Sequence, residues 1–213
     1  MPIFKTITVS PTTKVYIWEV TETEESLWEN VELTPHCMRR MDGMRSEAHR
    51  RAFLSIRQLL SLAGYVDSDL WYDDFGKPHL RDGNFISISH SHQFTGIIVS
   101  QSDEVGIDIE KQRDKILRIA HKFTPIEEYR TLANTEALVR KLTIVWGAKE
   151  SLYKIYAQQG LSFLRHIDVM DFSFEDNRTA AEILYQGKKS QYGVEFFEFE
   201  GFTCVYALKM MGG

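Results

Sequence analysis

The sequence predicts an α+β fold made of two similar α+β halves. Two long helical patterns, at 46–64 and 135–160, repeat apolar residues every three or four positions. Two strand-turn-strand patterns, at 85–100 and 194–210, alternate apolar and polar residues and come late in each half. Each half therefore runs from a strand through helices to a hairpin, which is typical of a duplicated α+β architecture.

The first half is predicted from local patterns of this kind. Its expected elements are, in order, a strand at 13–20, short helices at 25–31 and from Thr34-Pro35, a long helix at 46–64, a strand and turn at 71–80, and a hairpin at 85–100. Proline suits the first position of a helix, and Gly64 suits the end of the long one. The Gly-Lys-Pro sequence at 76–78 is a turn signal.

The second half begins with a short alternating strand. Its expected elements are a strand at 105–110, helical segments at 115–134 and 135–160, and strands at 167–176, 181–187, 194–201 and 202–210. We expect the boundary between domains 1–103 and 104–213 to lie before that first strand. A pseudo-twofold arrangement of the two would leave a cleft, and clefts between domains commonly bind ligands.

The composition is that of a soluble globular protein, with 43% apolar and 26% charged residues. A net charge of −5 argues against a nucleic-acid partner, although one basic pocket could still hold a small phosphorylated ligand. Cys37 and Cys204 have no metal-binding spacing, which favours reduced thiols. With no long apolar run and no signal-peptide core, we expect a cytoplasmic protein without a membrane span.

Two carboxylates share one face of the strand in VGIDIEKQR, residues 105–113. Asp108 and Glu110 would lie about 6–7 Å apart there, and Gly106 leaves room for a close neighbour. The ordinary interpretation is a solvated strand face. A magnesium ion between the carboxylates would relieve their repulsion, because hard cations prefer oxygen ligands.

A third oxygen ligand is predicted in the helix WGAKESLYKIY, residues 146–156. Glu150 and Lys154 lie one turn apart, so the ordinary interpretation is a surface ion pair of about 0.2–0.5 kcal/mol. Combined with the acidic strand, Glu150 becomes a third magnesium ligand. Lys149 and Lys154 then become candidate phosphate partners.

Candidate phosphate-binding residues also occur in three segments of the first half. Lys77 lies in FGKPHL, His90 in SISHS, and Arg51 and Arg57 on the basic face of HRRAFLSIR. His90 could equally be a core histidine or a general base. Neither a hydrolase triad nor a zinc site is indicated by these spacings.

Taken together, these segments resemble the 4′-phosphopantetheinyl transferase superfamily, in its larger, surfactin-synthetase-activator-like form. The matching pieces, in the family's order, are RAFLSIR at 51–57, GKP at 76–78, SISHS at 87–91, VGIDIE at 105–110, FTPIEEY at 123–129 and WGAKESLYK at 146–154. The resemblance covers roughly residues 48–155. Ser87, where asparagine is commoner, and the Gly147-Ala148 pair depart from the family pattern.

The resemblance implies a magnesium-dependent, monomeric enzyme with the 4′-phosphopantetheinyl transferase fold. It would move 4′-phosphopantetheine from coenzyme A to a serine of an apo acyl or peptidyl carrier protein and release adenosine 3′,5′-bisphosphate. The serine proton would pass to Glu150 or to a water on the metal, and Glu150 is preferred.

The same resemblance implies a role for each matching residue. These roles are magnesium binding by Asp108, Glu110 and Glu150, leaving-group stabilisation by Lys154, coenzyme A phosphate binding by Lys77 and His90, and 3′-phosphate binding by Arg51 or Arg57. Arg40 is a further candidate phosphate contact, and Glu128 matches a family glutamate whose role is left open.

Two other functions stay open at this point. One is a catalytically inactive relative that only binds carrier proteins or coenzyme A. The other is a different magnesium-dependent phosphoester enzyme, such as a nuclease-like hydrolase. The presence of all three carboxylates with Lys154 disfavours the first, and the negative net charge disfavours the second.

Overall fold

The structure, a computed structural model, describes residues 3–125 and 134–210. Helices and antiparallel strands alternate within these residues, which confirms the mixed α+β character of the predicted fold. The chain divides into two compact units, Met1–Asp103 and Glu104–Gly213. No helix in the described ranges is long and apolar enough to cross a membrane.

The first unit contains a four-stranded antiparallel sheet in the order β1-β2-β6-β5, and a separate β3-β4 pair. In chain order its elements are β1 (Ile3–Ser10), β2 (Thr13–Glu19), α1 (Glu24–Trp28), α2 (Pro35–Asp42), α3 (Glu47–Leu62), β3 (Leu70–Tyr72), β4 (Pro78–Leu80), β5 (Phe85–Ser91) and β6 (Phe94–Ser100). The edge strand β1 has no counterpart among the predicted elements. It is only partly buried, so its apolar alternation is weak.

Helix α3 supplies the core of the first unit. Its fully buried Leu54, Leu59 and Leu60 belong to the same apolar cluster as Ile86 of β5 and Ile97 of β6. The predicted start of α2 is confirmed, because Pro35 is its first residue and the Thr34 side chain accepts a hydrogen bond from the Cys37 amide.

The second unit contains a five-stranded antiparallel sheet in the order β7-β11-β10-β9-β8. Its elements are β7 (Val105–Lys111), α4 (Lys115–Ile119), α5 (Thr135–Tyr156), α6 (Phe163–His166), β8 (Ile167–Val169), β9 (Arg178–Tyr185), β10 (Lys188–Phe199) and β11 (Phe202–Lys209). Helix α5 packs on this sheet, with Ala148 and Leu152 in one apolar cluster with Val194, Val205 and Ala207.

Several predicted boundaries in the second unit are wrong. Strand β10 begins at Lys188 rather than at residue 194. The strand expected at 167–176 stops at Val169, and Phe174–Asp176 form a 3₁₀ turn instead. The Asp176 carboxylate accepts a hydrogen bond from the Ser173 amide and so stabilises that turn. Helix α5 ends at Tyr156 rather than near Gly160, because Ala157 adopts the left-handed conformation of a helix cap.

Candidate active site

The two carboxylates of β7 face a helix rather than water. Register with β11 places Gly106, Asp108 and Glu110 opposite Ala207, Val205 and Thr203. Val205 and Ala207 lie in the core cluster beneath α5, so this is the helix-covered face. Asp108 is only 6% exposed. The alternative of a solvated strand face is therefore wrong for Asp108.

Two glycines allow α5 to lie directly on this face. A Cβ atom on Gly106 would stand 2.0 Å from the carbonyl oxygen of Ser151. A Cβ atom on Gly147 would stand 2.7 Å from Cγ2 of Val205 and 3.7 Å from Oδ2 of Asp108. Neither position has space for a side chain, which explains why both residues are glycine. The close approach brings the last turns of α5 to Asp108.

Lys154 links the helix to the acidic strand. Its ammonium group donates to the Ile107 carbonyl oxygen at 2.7 Å and to Oδ1 of Asp108 at 2.9 Å. The Asp108 side chain is 8% exposed and that of Lys154 is 27% exposed. The ion pair that the structure shows for Lys154 is thus partly buried and crosses to β7, unlike the surface pair considered from sequence.

Burial and neighbouring charge raise the pKa of two of the three carboxylates. Burial raises the pKa of Glu150 to about 7, and the charge of Asp108 adds to that rise while Lys154 opposes it. Burial and the charge of Asp108 also raise the pKa of Glu110. Asp108, Glu110, Glu150 and Lys154 thus form one electrostatically coupled group, which we call the acidic cluster.

The acidic cluster suits a divalent cation in its chemistry. Three carboxylates offer the oxygen ligands that Mg²⁺ prefers. Burial is the main cause of the raised pKa of Glu110 and Glu150, and a cation would relieve the charge repulsion that adds to it. Across residues 3–125 and 134–210, however, no three His, Cys, Asp or Glu side chains are already placed to hold a metal ion. The residue types fit magnesium, whereas their present spacing is not that of a formed site.

Trp146 orients one member of the acidic cluster. Its indole N–H donates to Oε1 of Glu110 at 3.3 Å. The indole ring also contacts Phe123 and Phe163, with ring centroids 5.0 and 5.4 Å away. Because aromatic neighbours hold the ring on two sides, the N–H is directed at Glu110 by packing. Trp146 was not among the site residues predicted from the sequence.

Lys149 points away from the acidic cluster. Its ammonium group donates to the backbone carbonyl oxygens of Phe123, Phe163 and Ile167 at 2.6, 2.8 and 2.7 Å. Its side chain is buried, with the residue 2% exposed. The prediction that Lys149 contacts phosphate is therefore wrong, because its three donors are directed at the protein backbone.

A small cavity of about 160 Å³ opens beside Glu110 and Trp146 in the second unit. Its other lining residues are Lys111, Arg113, Lys115, Ile116, Ile119 and Thr143. It combines a carboxylate of the acidic cluster, basic side chains and an apolar wall. This composition would suit an anionic group that also carries an apolar segment.

A larger cavity of about 310 Å³ lies wholly within the first unit. Its lining contains four basic or imidazole side chains, Arg40, His49, Arg57 and His90, beside the rings of Phe53 and Tyr72. The Arg40 guanidinium lies 5.3 Å from the Tyr72 ring centroid. Where this cavity is described, no acidic side chain lines it. We call it the cationic cavity.

The predicted phosphate contacts are only partly brought together there. Arg57 and His90 line the cationic cavity, whereas Arg51 and Lys77 are absent from its lining. An Arg51 Nη2 hydrogen bond runs to the Val20 carbonyl oxygen at 3.1 Å, and the Lys77 backbone amide is bound by Asp73 in the β3-β4 turn. The roles of Arg51 and Lys77 stay predictions.

Arg57 is largely committed to the core of the first unit. Its Nε donates to Oδ1 of Asp67 at 2.9 Å, in an ion pair that is almost fully buried. Its guanidinium also lies 3.5 Å from the Phe53 ring centroid. The charge of Arg57 is balanced by Asp67, which weakens the case for a 3′-phosphate contact.

His49 and Tyr72 were missed in the sequence analysis. His49 had a detectable signal, because it lies three, four and seven residues before Ala52, Phe53 and Ile56, the spacing of one helix face. Tyr72 had none, since only the packing of the β3-β4 pair places it in the cationic cavity. Glu128, and most of the segment around it, lies outside the described residues.

The second unit is similar in sequence to a known family. Residues 104–207 match the family model of the 4′-phosphopantetheinyl transferase superfamily. The matched range contains the whole acidic cluster and confirms the resemblance over those residues, while the surfactin-synthetase-activator-like form stays a prediction. A search of curated proteins found no match. The family match supports phosphopantetheine transfer in general.

Proposed function

We propose that this protein transfers 4′-phosphopantetheine from coenzyme A to a serine of an apo acyl or peptidyl carrier protein, with release of adenosine 3′,5′-bisphosphate. The observation that carries the proposal is the family match over residues 104–207, the range that holds the coupled group of Asp108, Glu110, Glu150 and Lys154. A chain that only bound its ligands would have no need for three mutually repelling carboxylates, one of them buried.

Asp108, Glu110 and Glu150 would hold the magnesium ion. When bound, magnesium would neutralise charge on the pyrophosphate and orient it for displacement. Lys154, already against Asp108 at 2.9 Å, adds a positive charge at the same place. We assign it to the charge that develops on the leaving phosphate oxygen.

The transfer is a displacement at phosphorus. The serine Oγ forms a bond to the phosphorus that carries pantetheine, and the bond from that phosphorus to the bridging oxygen breaks. Both electrons of the broken bond leave with adenosine 3′,5′-bisphosphate. We assign the serine proton to Glu150, a carboxylate that can act as a general base.

We assign the nucleotide end of coenzyme A to the cationic cavity of the first unit. Arg40, His49 and His90 can meet phosphate charge there, and Tyr72 and Phe53 offer ring surfaces. A nucleotide phosphate offers negative charge for the basic side chains and a planar base that can stack on the rings. We further propose that the protein acts as a monomer in the cytoplasm, in keeping with its composition.

Mass spectrometry of a carrier protein tests the proposal. An apo carrier incubated with the protein, coenzyme A and Mg²⁺ should gain about 340 Da, the mass of the transferred group. Replacing Mg²⁺ with EDTA should prevent the gain. Coenzyme A binding without any gain, across a panel of carriers, would point instead to an inactive relative. Cleavage of nucleic acid or of simple phosphate esters would point to a different phosphoester enzyme.

A further inference from the structure

Lys149 is a buried ammonium in the second unit with a saturated set of donors. Three N–H groups meet three backbone carbonyl oxygens, each between 2.6 and 2.8 Å away. An ammonium removed from water is costly unless such partners replace its hydration, so this geometry is strongly restrained. The side chain therefore acts as a three-way tie between α5 and the segments that supply the carbonyls.

The three carbonyls come from two stretches of chain, because α6 runs directly into β8. Phe123 follows the 3₁₀ turn at residues 120–122, Phe163 opens α6, and Ile167 opens β8. Phe123 and Ile167 also belong to the apolar cluster of the second unit, and Phe163 packs against that cluster. The tie thus adds hydrogen bonds, at one turn of α5, to segments that already pack in the same core.

The part of α5 around Lys149 also contains Glu150 and Trp146, which belong to or contact the acidic cluster. Glu150 directly follows Lys149, and Trp146 lies one turn before Glu150. The rings of Phe123 and Phe163, two of the residues tied by Lys149, also hold the Trp146 ring, whose N–H is bound to Glu110. A shift of either phenylalanine would move both the tie and the indole that orients Glu110.

We propose that Lys149 is a positioning residue that sets the geometry of Glu110 and Glu150 toward a divalent cation, without contacting phosphate itself. It acts through two routes: directly on the helix turn that carries Glu150, and through Phe123, Phe163 and Trp146 on Glu110. The effect of Lys149 on catalysis rests on the proposed function. Its effect on cation binding does not, and can be tested separately.

The substitution Lys149→Met tests this inference, because it keeps the length of the side chain and removes its donors. Lys141→Met is the matched control. Lys141 is another buried lysine of α5, 5% exposed, with its ammonium bonded to Asp171 and to the Phe172 carbonyl oxygen. Both variants lose one positive charge and one buried tie, but only Lys149 adjoins the acidic cluster.

The measurement is Mn²⁺ binding to the folded proteins by electron paramagnetic resonance. Loss of a nearby positive charge should by itself strengthen cation binding. We expect the opposite for Lys149→Met, a fall in Mn²⁺ affinity of roughly 10–100-fold, the effect typical of residues that orient metal ligands. Lys141→Met should leave the affinity within about twofold of wild type. Unchanged or tighter binding in Lys149→Met overturns the inference.

Steady-state kinetics separate positioning from phosphate contact. Lys149→Met should lower kcat while the KM for coenzyme A stays within about twofold of wild type. A raised KM with kcat unchanged would show that Lys149 contacts the substrate and would overturn the assignment.

A wild-type measurement keeps the test decisive if Lys149→Met does not fold. Saturating Mn²⁺ or Mg²⁺ should slow amide hydrogen exchange at residues 163–169, because the tie couples them to the acidic cluster. No change there, with protection at β7 and α5, would overturn the inference. Cation binding and exchange need no turnover, so they report on Lys149 even if the protein fails to modify every carrier tested.

Discussion

Glu150 is the residue in which stability and activity conflict most directly. Burial and the charge of Asp108 raise its pKa to about 7, so in the cation-free folded protein Glu150 is mostly protonated only below about pH 7. In the unfolded chain the pKa returns to about 4.5. Because the folded pKa is the higher one, stability contributed by protonated Glu150 is complete below about pH 4.5 and is lost as the pH rises through about 7.

Glu150→Gln should therefore stabilise the metal-free protein at pH 8 while abolishing transfer. The glutamine keeps the shape and removes a charge that repels Asp108 and Glu110. We expect a gain of roughly 1–2 kcal/mol in the free energy of unfolding, after discounting for solvent screening. Urea unfolding in EDTA checks the stability, and carrier modification checks the activity. Near-wild-type turnover in this variant would refute the assignment of Glu150.

The same residue predicts a pH-dependent response to magnesium. At pH 8 Glu150 is mostly deprotonated and a cation can bind without displacing its proton, whereas at pH 5.5 the proton competes. Thermal unfolding should show a larger increase in Tm on adding Mg²⁺ at pH 8 than at pH 5.5. The Glu150→Gln variant is the control and should respond weakly at both values. An equal increase in wild type at both pH values would contradict the prediction.

Arg57 differs from Glu150 because its charge is paired with one buried group of opposite charge, the Asp67 carboxylate. The ion pair with Asp67 is nearly inaccessible to solvent. Arg57→Met should lower the free energy of unfolding by about 3–5 kcal/mol, since it leaves Asp67 buried and charged. Adding Asp67→Asn should restore part of the loss. Chemical denaturation of the two single variants and the double variant measures this coupling.

If Arg57 instead binds the 3′-phosphate, Arg57→Met should lower the affinity for coenzyme A more than it lowers the affinity for 3′-dephospho-coenzyme A. The same comparison tests Lys77→Ala. Calorimetry with both ligands decides, and equal losses would exclude the 3′-phosphate role for the variant concerned.

At the scale of elements, the contact between β7 and α5 decides the site. Gly106→Ala would place a methyl group 2.0 Å from the Ser151 carbonyl oxygen, and both atoms belong to regular elements that cannot move independently. We expect a loss of at least about 1–3 kcal/mol in stability, with a loss of cation affinity because the helix must move away from the strand. Thermal unfolding and Mn²⁺ binding measure the two effects.

Gly193→Ala is the matched control for that variant. Gly193 lies in β10 of the same sheet, and a Cβ atom there would meet nothing within 4 Å. Alanine should be tolerated or slightly stabilising, by up to about 1 kcal/mol, because it reduces the conformational freedom of the unfolded chain. If both alanines destabilise the protein equally, close packing of Gly106 against α5 is not what matters.

For the whole molecule, the two units carry different parts of the proposed chemistry. The cationic cavity belongs to the first unit and the acidic cluster to the second. Arg40→Ala should therefore weaken coenzyme A binding by roughly 10–100-fold, the effect of losing a charge-assisted hydrogen bond, and leave Mn²⁺ affinity unchanged. Glu110→Gln should do the reverse. Calorimetry and electron paramagnetic resonance on both variants test this division of roles, and parallel losses in both variants would contradict it.

Much of this was predictable from the sequence, because the relevant signals are local. Alternation in residues 105–110 places Asp108 and Glu110 on one face, and helical spacing places Glu150 and Lys154 one turn apart. The α+β class and the start of α2 at Pro35 follow from such short-range preferences as well. These features need no knowledge of what the elements pack against.

Tertiary packing alone decided which way the charged groups point. Lys149 and Lys154 are both lysines of one helix near an acidic residue, yet one is directed at three backbone carbonyls and the other at Asp108. Likewise Arg40 and Arg57 both line the cationic cavity, but the Arg57 guanidinium is paired with Asp67, ten residues later. The sequence by itself determined the chemical types and their spacing, since those depend on neighbouring residues. The direction and burial of each charge depend on distant segments, because the cost of desolvation is set by what the folded chain places around it.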